Sequence, residues 1–595
     1  MKVFSPALLA LAATSAVAFD TKFYGLNYDT RTNEWGGCKD DNTMAADFNI
    51  IKRVSDRLRV FSMNYDCTKR ILQQAQNAGL KVWLGLWSEV PDATTGKADS
   101  FPSEMANLRK LTEESNSLIR NDNVLGLHVS SEALYRYYVQ GAGNSTSGGN
   151  DRKGIDLIVS HLNEARSYLR GKGRTFPVAI TDIMDMYTKF PELYEAADIV
   201  AENQFSFWQN LSPEDGTHFF FQRHQEELTR AKRAGKLLVV QETGWSTDGT
   251  NPIVTEASPR AQGVFTQDYL TLVSRQNVQT YYFSAFDLGF GTDKIEKSFG
   301  VHTTDRVMKP AVNAVTVGPR LTAVRLSSQG YVIKADRHWN SDDTVNWNYG
   351  RLYVEKPSSG RSGKFDDEIW LWDSNSKMLY SKSADVCLDT YGDNNQQTVH
   401  TWYCSKDNAN QQWNPVNNNL ASLNSANFCL DVDLNRAKTS DGKLVPMMYP
   451  CTGNGNQRIQ VVAATDYPLE FSIHGNGILT EWYSQLTWET ERKSNADCNR
   501  FTYDPITQLI KSVSNPGMCL DAYQRQDGGN VHLYNCDASN ENQQWVLNDI
   551  TGQIHHANHH GYCLDAPTGS NGLVHLWSCD KSNSSQQWTI NPVNA

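Results

Sequence analysis

Between residues 19 and 318, short apolar runs rich in β-branched residues alternate with longer amphipathic stretches, the pattern of a chain that passes repeatedly from strand to helix. The runs predict eight strands, at 23–27, 57–61, 81–86, 125–129, 178–181, 199–203, 237–242 and 280–286. Eight strands with helices between them fit a (β/α)8 TIM barrel, which places its chemistry at the carboxyl ends of the strands. An open doubly wound sheet competes, but no GxGxxG or GxxxxGK[ST] follows any strand, so its nucleotide-binding form has no support. After residue 318 the helical period disappears and Asn, Gln, Ser, Asp and Gly dominate, which predicts short strands and many turns in an all-β region.

That second region repeats. Cys-Leu-Asp occurs at Cys387, Cys429, Cys519 and Cys563, each followed by a second cysteine at 404, 451, 536 and 579. Gln-x-Trp closes three of these units, ending at Trp413, Trp545 and Trp588, and Gln457-Arg458-Ile459 stands as a decayed fourth. The units resemble the lobes of ricin B-type β-trefoil lectins, in which a lobe of about 40 residues repeats three times. The 90 residues from Cys429 to Cys519 leave room for one unmarked lobe, so two tandem trefoils are expected, at 319–459 and 460–595, each with a degenerate first lobe. Of eleven cysteines, Cys498 is left over, while Cys38 and Cys67 follow strands 1 and 2 and could bridge over the barrel.

Composition narrows the function classes. Lys and Arg total 55 against 66 Asp and Glu, a net charge of −11, so no basic surplus points to nucleic acid or an anionic bilayer. Lys2, the apolar run 6–13 and the small residues Ala16-Val17-Ala18 resemble a cleaved secretory signal over 1–18, so a secreted, extracellular, soluble monomer is expected. Sequons at Asn144, Asn210 and Asn583 and paired cysteines agree with that compartment. No cofactor or metal is called for; the tract His555, His556, His559 and His560 precedes a lectin lobe in a turn-like segment.

Two glutamates fall where barrel chemistry belongs: Glu132, just past strand 4, and Glu242, at the end of strand 7. Glycoside hydrolysis needs one carboxyl protonated for the leaving oxygen and one ionised for the anomeric carbon, about 5 to 5.5 Å apart if configuration is retained. The motifs YGLNYD at 24–29, SSEALYR at 130–136, QETGW at 241–245, YYFSAFD at 281–287 and FGVHTTDRVMKP at 299–310 resemble glycoside hydrolase family 17, the β-1,3-glucanases and glucanosyltransferases. The resemblance implies Glu132 as acid/base and Glu242 as nucleophile, with Tyr28, Trp87, Ser131, Tyr135, Gln204, Trp208 and Trp245 as candidate sugar contacts. It also exposes departures: Ser131 stands where the family has Asn, Gln204 where it has Tyr or His, and Ser284 and Leu288 where it has acids. Reduced activity is therefore expected, and the rivals to a hydrolase are a glucanosyltransferase and an inactive polysaccharide-binding barrel.

In the lectin lobes the resemblance implies an Asp that accepts sugar hydroxyls, an aromatic platform, and an Asn-Gln pair that orients the Asp. The full set appears as Asp389, His400, Trp402, Asn410 and Gln411, and again as Asp521, His532, Tyr534, Asn542 and Gln543. Asp565, His575, Trp577 and Gln586 follow with Ser585 in the Asn position. Asp431, with Tyr449, Asn456 and Gln457 but Pro446 and Met447 before its aromatic, ranks last. The expected partner is thus a polysaccharide, β-1,3-glucan or another cell-wall glycan.

Overall fold

The computed structural model describes residues 19–593 except 142, 144–150, 340–344, 394–395, 426 and 570–571, so the signal segment and the Asn144 sequon lie outside the described residues. Eight parallel strands close into a barrel in sequence order: β1 (Gly25–Asn27), β2 (Arg57–Arg59), β3 (Lys81–Leu86), β4 (Val124–Ser131), β5 (Val178–Ile183), β6 (Val200–Asn203), β7 (Leu238–Thr243) and β8 (Thr280–Tyr282). The last strand stops at Tyr282 rather than 286, and the chain beyond it turns into the wall of a cleft.

The outer layer includes α1 (Asp41–Val54), α2 (Tyr65–Ala78), α3 (Phe101–Glu113), α4 (Lys153–Gly171), α5 (Pro213–Ala234) and α6 (Pro259–Gln276). Local chemistry sets their ends. Ser212 and Ser258 cap α5 and α6 ahead of Pro213 and Pro259, whose missing N–H costs nothing in a first turn. The disulfide Cys38–Cys67 ties the loop after β1 to the first turn of α2.

The lower half of the barrel interior is filled by the rings of Trp83 and Tyr281, both fully buried. Two neighbouring strands must be glycine there: a Cβ on Gly25 would lie 2.3 Å from the Tyr281 ring, and one on Gly126 2.5 Å from Trp83. The upper half is polar, which is where function is to be sought.

The C-terminal region is all-β. The first trefoil closes when Gln460–Ala463 pairs with Thr322–Ser328, so its chain runs a few residues past 459. The second closes when Thr589–Pro592 pairs with Leu469–Ile473. The repeats explain themselves physically. In each unit the Gln-x-Trp indole donates to the carbonyl of the Leu in Cys-Leu-Asp: Trp413 to Leu388 at 2.8 Å, Trp545 to Leu520 at 3.0 Å, Trp588 to Leu564 at 3.0 Å. Disulfides join Cys387–Cys404, Cys429–Cys451, Cys519–Cys536 and Cys563–Cys579, and Cys498 is free and buried.

The trefoils dock on the barrel rather than hanging from it. Glu541 bonds Arg57 and, at 2.9 Å, Lys81 at the lower ends of β2 and β3. Gln279 donates to Ala557 O at 2.8 Å, its own oxygen lies 2.8 Å from His560 Nε2, and Arg275 at the end of α6 binds Asp385 at 2.7 Å. The histidine tract therefore packs this joint: burial pushes His555 and His560 down to about 3 and His556 to about 4. His555 does lie near two sulfurs, but Cys563 and Cys579 are bonded to each other and offer no thiolate to a metal.

Candidate active site

Arg59, on β2, points into the polar upper half of the barrel and is wholly buried. Its Nη1 donates to Glu242 Oε1 at 2.7 Å and to Asn27 Oδ1 at 2.8 Å, while Nη2 lies 3.2 Å from Ser131 Oγ. Ser131 Oγ in turn donates to Glu242 Oε1 at 3.1 Å. Glu242 is thus held through one oxygen by a guanidinium and a hydroxyl. His128 lies 3.4 Å from Arg59, and burial with that neighbouring charge drives its pKa well below the ordinary range, so it adds no second cation.

Glu132 follows β4 with φ of 58°, a left-handed conformation unusual for a residue with a side chain. The turn is pinned from below: Asp182 on β5 accepts from Leu134 N at 2.9 Å and Tyr135 N at 3.2 Å. Asn203, at the end of β6, donates to Glu132 Oε1 at 2.8 Å. Burial raises the Glu132 pKa, the Glu242 charge raises it further, and the Asn203 bond opposes both. One carboxyl favoured in its protonated form beside another paired with a cation is the asymmetry that acid-assisted displacement requires.

Both glutamates open into a cleft of about 720 Å³ lined by Trp35, Phe61, Trp87, Glu104, Arg136 and Phe283, among others. Trp35 is 92% exposed, on a loop fastened by the Arg31 fork on Asp29, backbone bonds between Asn33 and Gly36, and the nearby disulfide. Arg136 lies over the Trp87 ring at 4.9 Å. Aromatic faces with charged edges suit pyranose rings, which stack through C–H faces and hydrogen-bond through their rims.

Of the residues singled out in the sequence, Glu132, Glu242, Ser131, Trp87, Ser284 and Leu288 line this cleft, and five candidate sugar contacts do not. Tyr28 is buried, donating to Asp47 at 2.7 Å. Trp245 is fully buried between Phe207 and Phe265, its indole bonded to Glu256 O at 2.9 Å. Gln204 turns away to Phe220 O at 2.6 Å and meets Glu242 only through its backbone N–H. Trp208 packs on Phe207 and Phe299, and Tyr135 lies on the helical turn behind Glu132. A ring just past a strand end is as readily folded under the next helix as aimed over the barrel, which sequence position alone does not distinguish. Arg59, Asn203 and Trp35 were missed; the signal for Arg59 was a pair of arginines, Arg57 and Arg59, at alternate positions of one short strand, opposite to the apolar Leu58 and Val60.

The lectin lobes carry a correction. Asp389 Oδ2 accepts from Gln411 Nε2 at 2.8 Å and from Asn408 Nδ2 at 2.8 Å; Asn410 accepts instead from Asn424. Asp521 is held likewise by Gln543 and Asn540, not Asn542, and Asp565 by Gln586 and Asn583. The orienting Asn sits three residues before the Gln, so Ser585 removes nothing from the Asp565 set. Asn583 is committed to that bond, which leaves its sequon a poor glycosylation acceptor. Trp402, Tyr534 and Trp577 are exposed beside these aspartates at 38%, 55% and 43%. His400 lies 3.2 Å from Asp389 and His575 3.3 Å from Asp565, whereas His532 contacts Asn530. Around Asp431, Gln457 donates to Pro450 O and Asn454 caps Gln457.

Comparison with known proteins finds two kinds of domain along the chain. Residues 25–300 match the BtgE/BtgC glycoside hydrolase domain, and residues 375–467 and 484–592 match the ricin-type β-trefoil lectin domain. The barrel is similar to a putative glucan endo-1,3-beta-glucosidase, btgC, of Aspergillus niger, 23% identical over 300 residues that make up 47% of this chain and 40% of that protein. It is also similar to a glucan 1,3-beta-glucosidase of Arthroderma benhamiae, 27% identical across 52% of this chain and 96% of that one. The chain thus spans about two fifths of the btgC relatives and nearly all of the shorter one. Among solved structures, a glycoside hydrolase family 17 beta-1,3-glucanosyltransferase from Rhizomucor miehei is 27% identical over 49% of this chain and 98% of its own, with a TM-score of 0.40. The chain carries a family 17-like glycoside hydrolase barrel followed by ricin-type lectin domains.

Proposed function

We propose that the protein is a secreted, retaining glycoside hydrolase that cleaves β-1,3-glucan, with the trefoils binding carbohydrate. The observation that carries the proposal is the single hydrogen-bonded network that joins Glu132 and Glu242 at the floor of an aromatic cleft. In the first step Glu242 attacks the anomeric carbon as Glu132 gives its proton to the departing glycosidic oxygen, forming a glycosyl ester on Glu242. Glu132, now ionised, takes a proton from a water whose oxygen attacks the same carbon, releasing sugar and restoring both carboxyls. Arg59 and Ser131 hold Oε1 of Glu242, so Oε2 is the atom offered to the sugar. Interception by a sugar hydroxyl in place of water would give transglycosylation, and product lengths distinguish the two.

The test is turnover of laminarin by the purified chain, with proton NMR of the first anomer released. Retained configuration and its loss in Glu242→Gln support the proposal. Inverted product, or unchanged turnover in Glu242→Gln, refutes it, and no turnover on any linear β-glucan favours an inactive binding barrel. Glu132→Gln keeps activity only on substrates whose leaving groups need no proton.

A further inference from the structure

The first lobe of the second trefoil lacks the Cys-Leu-Asp set, yet it ends a hairpin in two exposed rings. Strands Gly477–Trp482 and Gln485–Glu489 pair antiparallel and are joined by Tyr483 and Ser484. Both turn residues are left-handed, with φ of 52° and 65°, where a hairpin ordinarily uses Asn-Gly. A tyrosine there is a costly choice for a turn alone. Leu479, Leu486 and Trp488 of this hairpin supply its share of the core; Trp482 and Tyr483 supply none and are 41% and 84% exposed.

The rings are braced rather than loose. Buried Glu481 accepts from Ser484 N at 3.1 Å and from Ser514 Oγ, which fixes the turn. Trp482 and Tyr483 meet edge to face at 5.0 Å, and Lys493, bridged to Glu489 at 2.7 Å, lies 5.1 Å over Trp482. Aromatic side chains carry few rotatable bonds, so a braced pair binds at small entropic cost.

Register places the pair beside a site already described. Gln485 pairs with His532, and Leu533 N donates to Ser484 O at 3.4 Å, so the Tyr483–Ser484 turn lies against the strand His532–Asn535 that carries Tyr534. Opposed residues in an antiparallel pair share a face of the sheet. Tyr534 is the exposed platform of the Asp521 lobe, and His532 pairs in register with Asp521 itself.

We infer that Trp482 and Tyr483 form a second stacking subsite next to Asp521, so that this lobe grips an oligosaccharide chain rather than a single sugar. The inference rests on Asp521 being a sugar site. The occupant is carbohydrate because the rings continue a face that already offers an aromatic platform and a carboxylate held by Gln543 and Asn540 for hydroxyl groups. A chain lying from Asp521 across Tyr534 reaches Tyr483 with its next units.

The experiment uses the full chain with Glu242→Gln, Asp389→Ala and Asp565→Ala, so that turnover and the two sister sites are removed. Glucose, N-acetylglucosamine and galactose, and the cello-, chito- and β-1,4-galacto-oligosaccharides of two to six units, are titrated by calorimetry; laminari-oligosaccharides are left out because the barrel cleft of Glu242→Gln would still bind them. At least one series should gain affinity with length. Tyr483→Ala, and Tyr483→Asn, which suits the turn and keeps the hairpin, should each remove about two- to tenfold of that gain and leave the monosaccharide affinity unchanged. Asp521→Ala should abolish both. Length dependence that survives both Tyr483 variants overturns the inference while leaving the Asp521 site intact. Binding indifferent to Asp521→Ala, or no binding of any probe, overturns the sugar site and the subsite together. Loss of a protein partner but of no glycan in the Tyr483 variants would also refute a sugar subsite.

Discussion

Replacing Asn203 by Ala tests the electrostatics of the acid directly. The amide donates to Glu132 Oε1 at 2.8 Å and is the one hydrogen bond that opposes burial and the Glu242 charge in setting that carboxyl's pKa. A bond to an ionised carboxylate is worth about 1.5–3 kcal/mol and one to a neutral acid about 0.5–1.5 kcal/mol, so its loss disfavours ionisation by roughly 1–1.5 kcal/mol. At about 1.4 kcal/mol per unit, the Glu132 pKa rises by roughly one unit. The acid must be protonated to work, so activity is lost as pH rises through this pKa, and the alkaline limb of kcat/KM moves up by that unit. Turnover at the optimum falls because Glu132 is no longer aimed. The assay is a pH profile of laminarin hydrolysis by wild type and Asn203→Ala, with circular dichroism confirming the fold. An alkaline limb that stays put or moves down refutes the assignment of Glu132 as the acid or of Asn203 as its partner.

Trp35→Ala should raise KM on long glucans about two- to tenfold through lost stacking while sparing kcat on a short activated glucoside; equal effects on both substrates would exclude a distal sugar contact. Ser131→Ala removes the hydroxyl that Glu242 accepts and should lower kcat/KM about tenfold, measured on laminarin; no change would mean Arg59 alone positions the nucleophile. Glu541→Ala removes the carboxylate shared by Arg57 and Lys81 and, since Lys81 and Glu541 are part-exposed, should cost about 1 kcal/mol, read as a lower melting temperature for the barrel as well as the trefoil; a barrel transition that does not move would show that the domains unfold independently.

The barrel and the repeats were legible in the sequence because each rests on a short-range regularity: alternation of strand and helix in one case, Cys-Leu-Asp with Gln-x-Trp in the other. Glu132 and Glu242 were legible because strand ends fix the height of a residue in a barrel. What strand position does not give is direction. Tyr28 sits one residue from cleft-lining Asp29 and Trp245 three from Glu242, yet both point outward under helices, where Asp47 and Phe265 meet them. The orienting asparagines were misassigned by two residues because the one-turn 3₁₀ segments before Gln411 and Gln543 carry the side chain of the capping Asn back to the Asp. Arg59 lay hidden because a buried cation is explained only by a carboxylate that arrives from a strand 183 residues later.

The docking of the trefoils changes what the lectin can contribute. A flexibly linked binding module raises local substrate concentration by an amount set by linker length. Here the barrel's last helical turn ends at Asn313 and the trefoil's first strand begins at Thr322, and Glu541, Asp385, Ala557 and Pro505 fasten the trefoils to the lower ends of the strands and helices. The cleft that holds Glu132 and Glu242 opens at the opposite, carboxyl ends of the same strands. Contacts also climb the side of the barrel, where Tyr403, next to Trp402, meets His218 in the second turn of α5 edge-on at 4.2 Å, so the joint holds the trefoils against the barrel along its side as well as its lower end. On the proposed function, a lectin so fixed favours long or insoluble glycan, where one molecule meets many chains at once. Its proposed contribution is to select the surface on which the barrel works, with the joint, rather than a linker, setting the distance at which it does so.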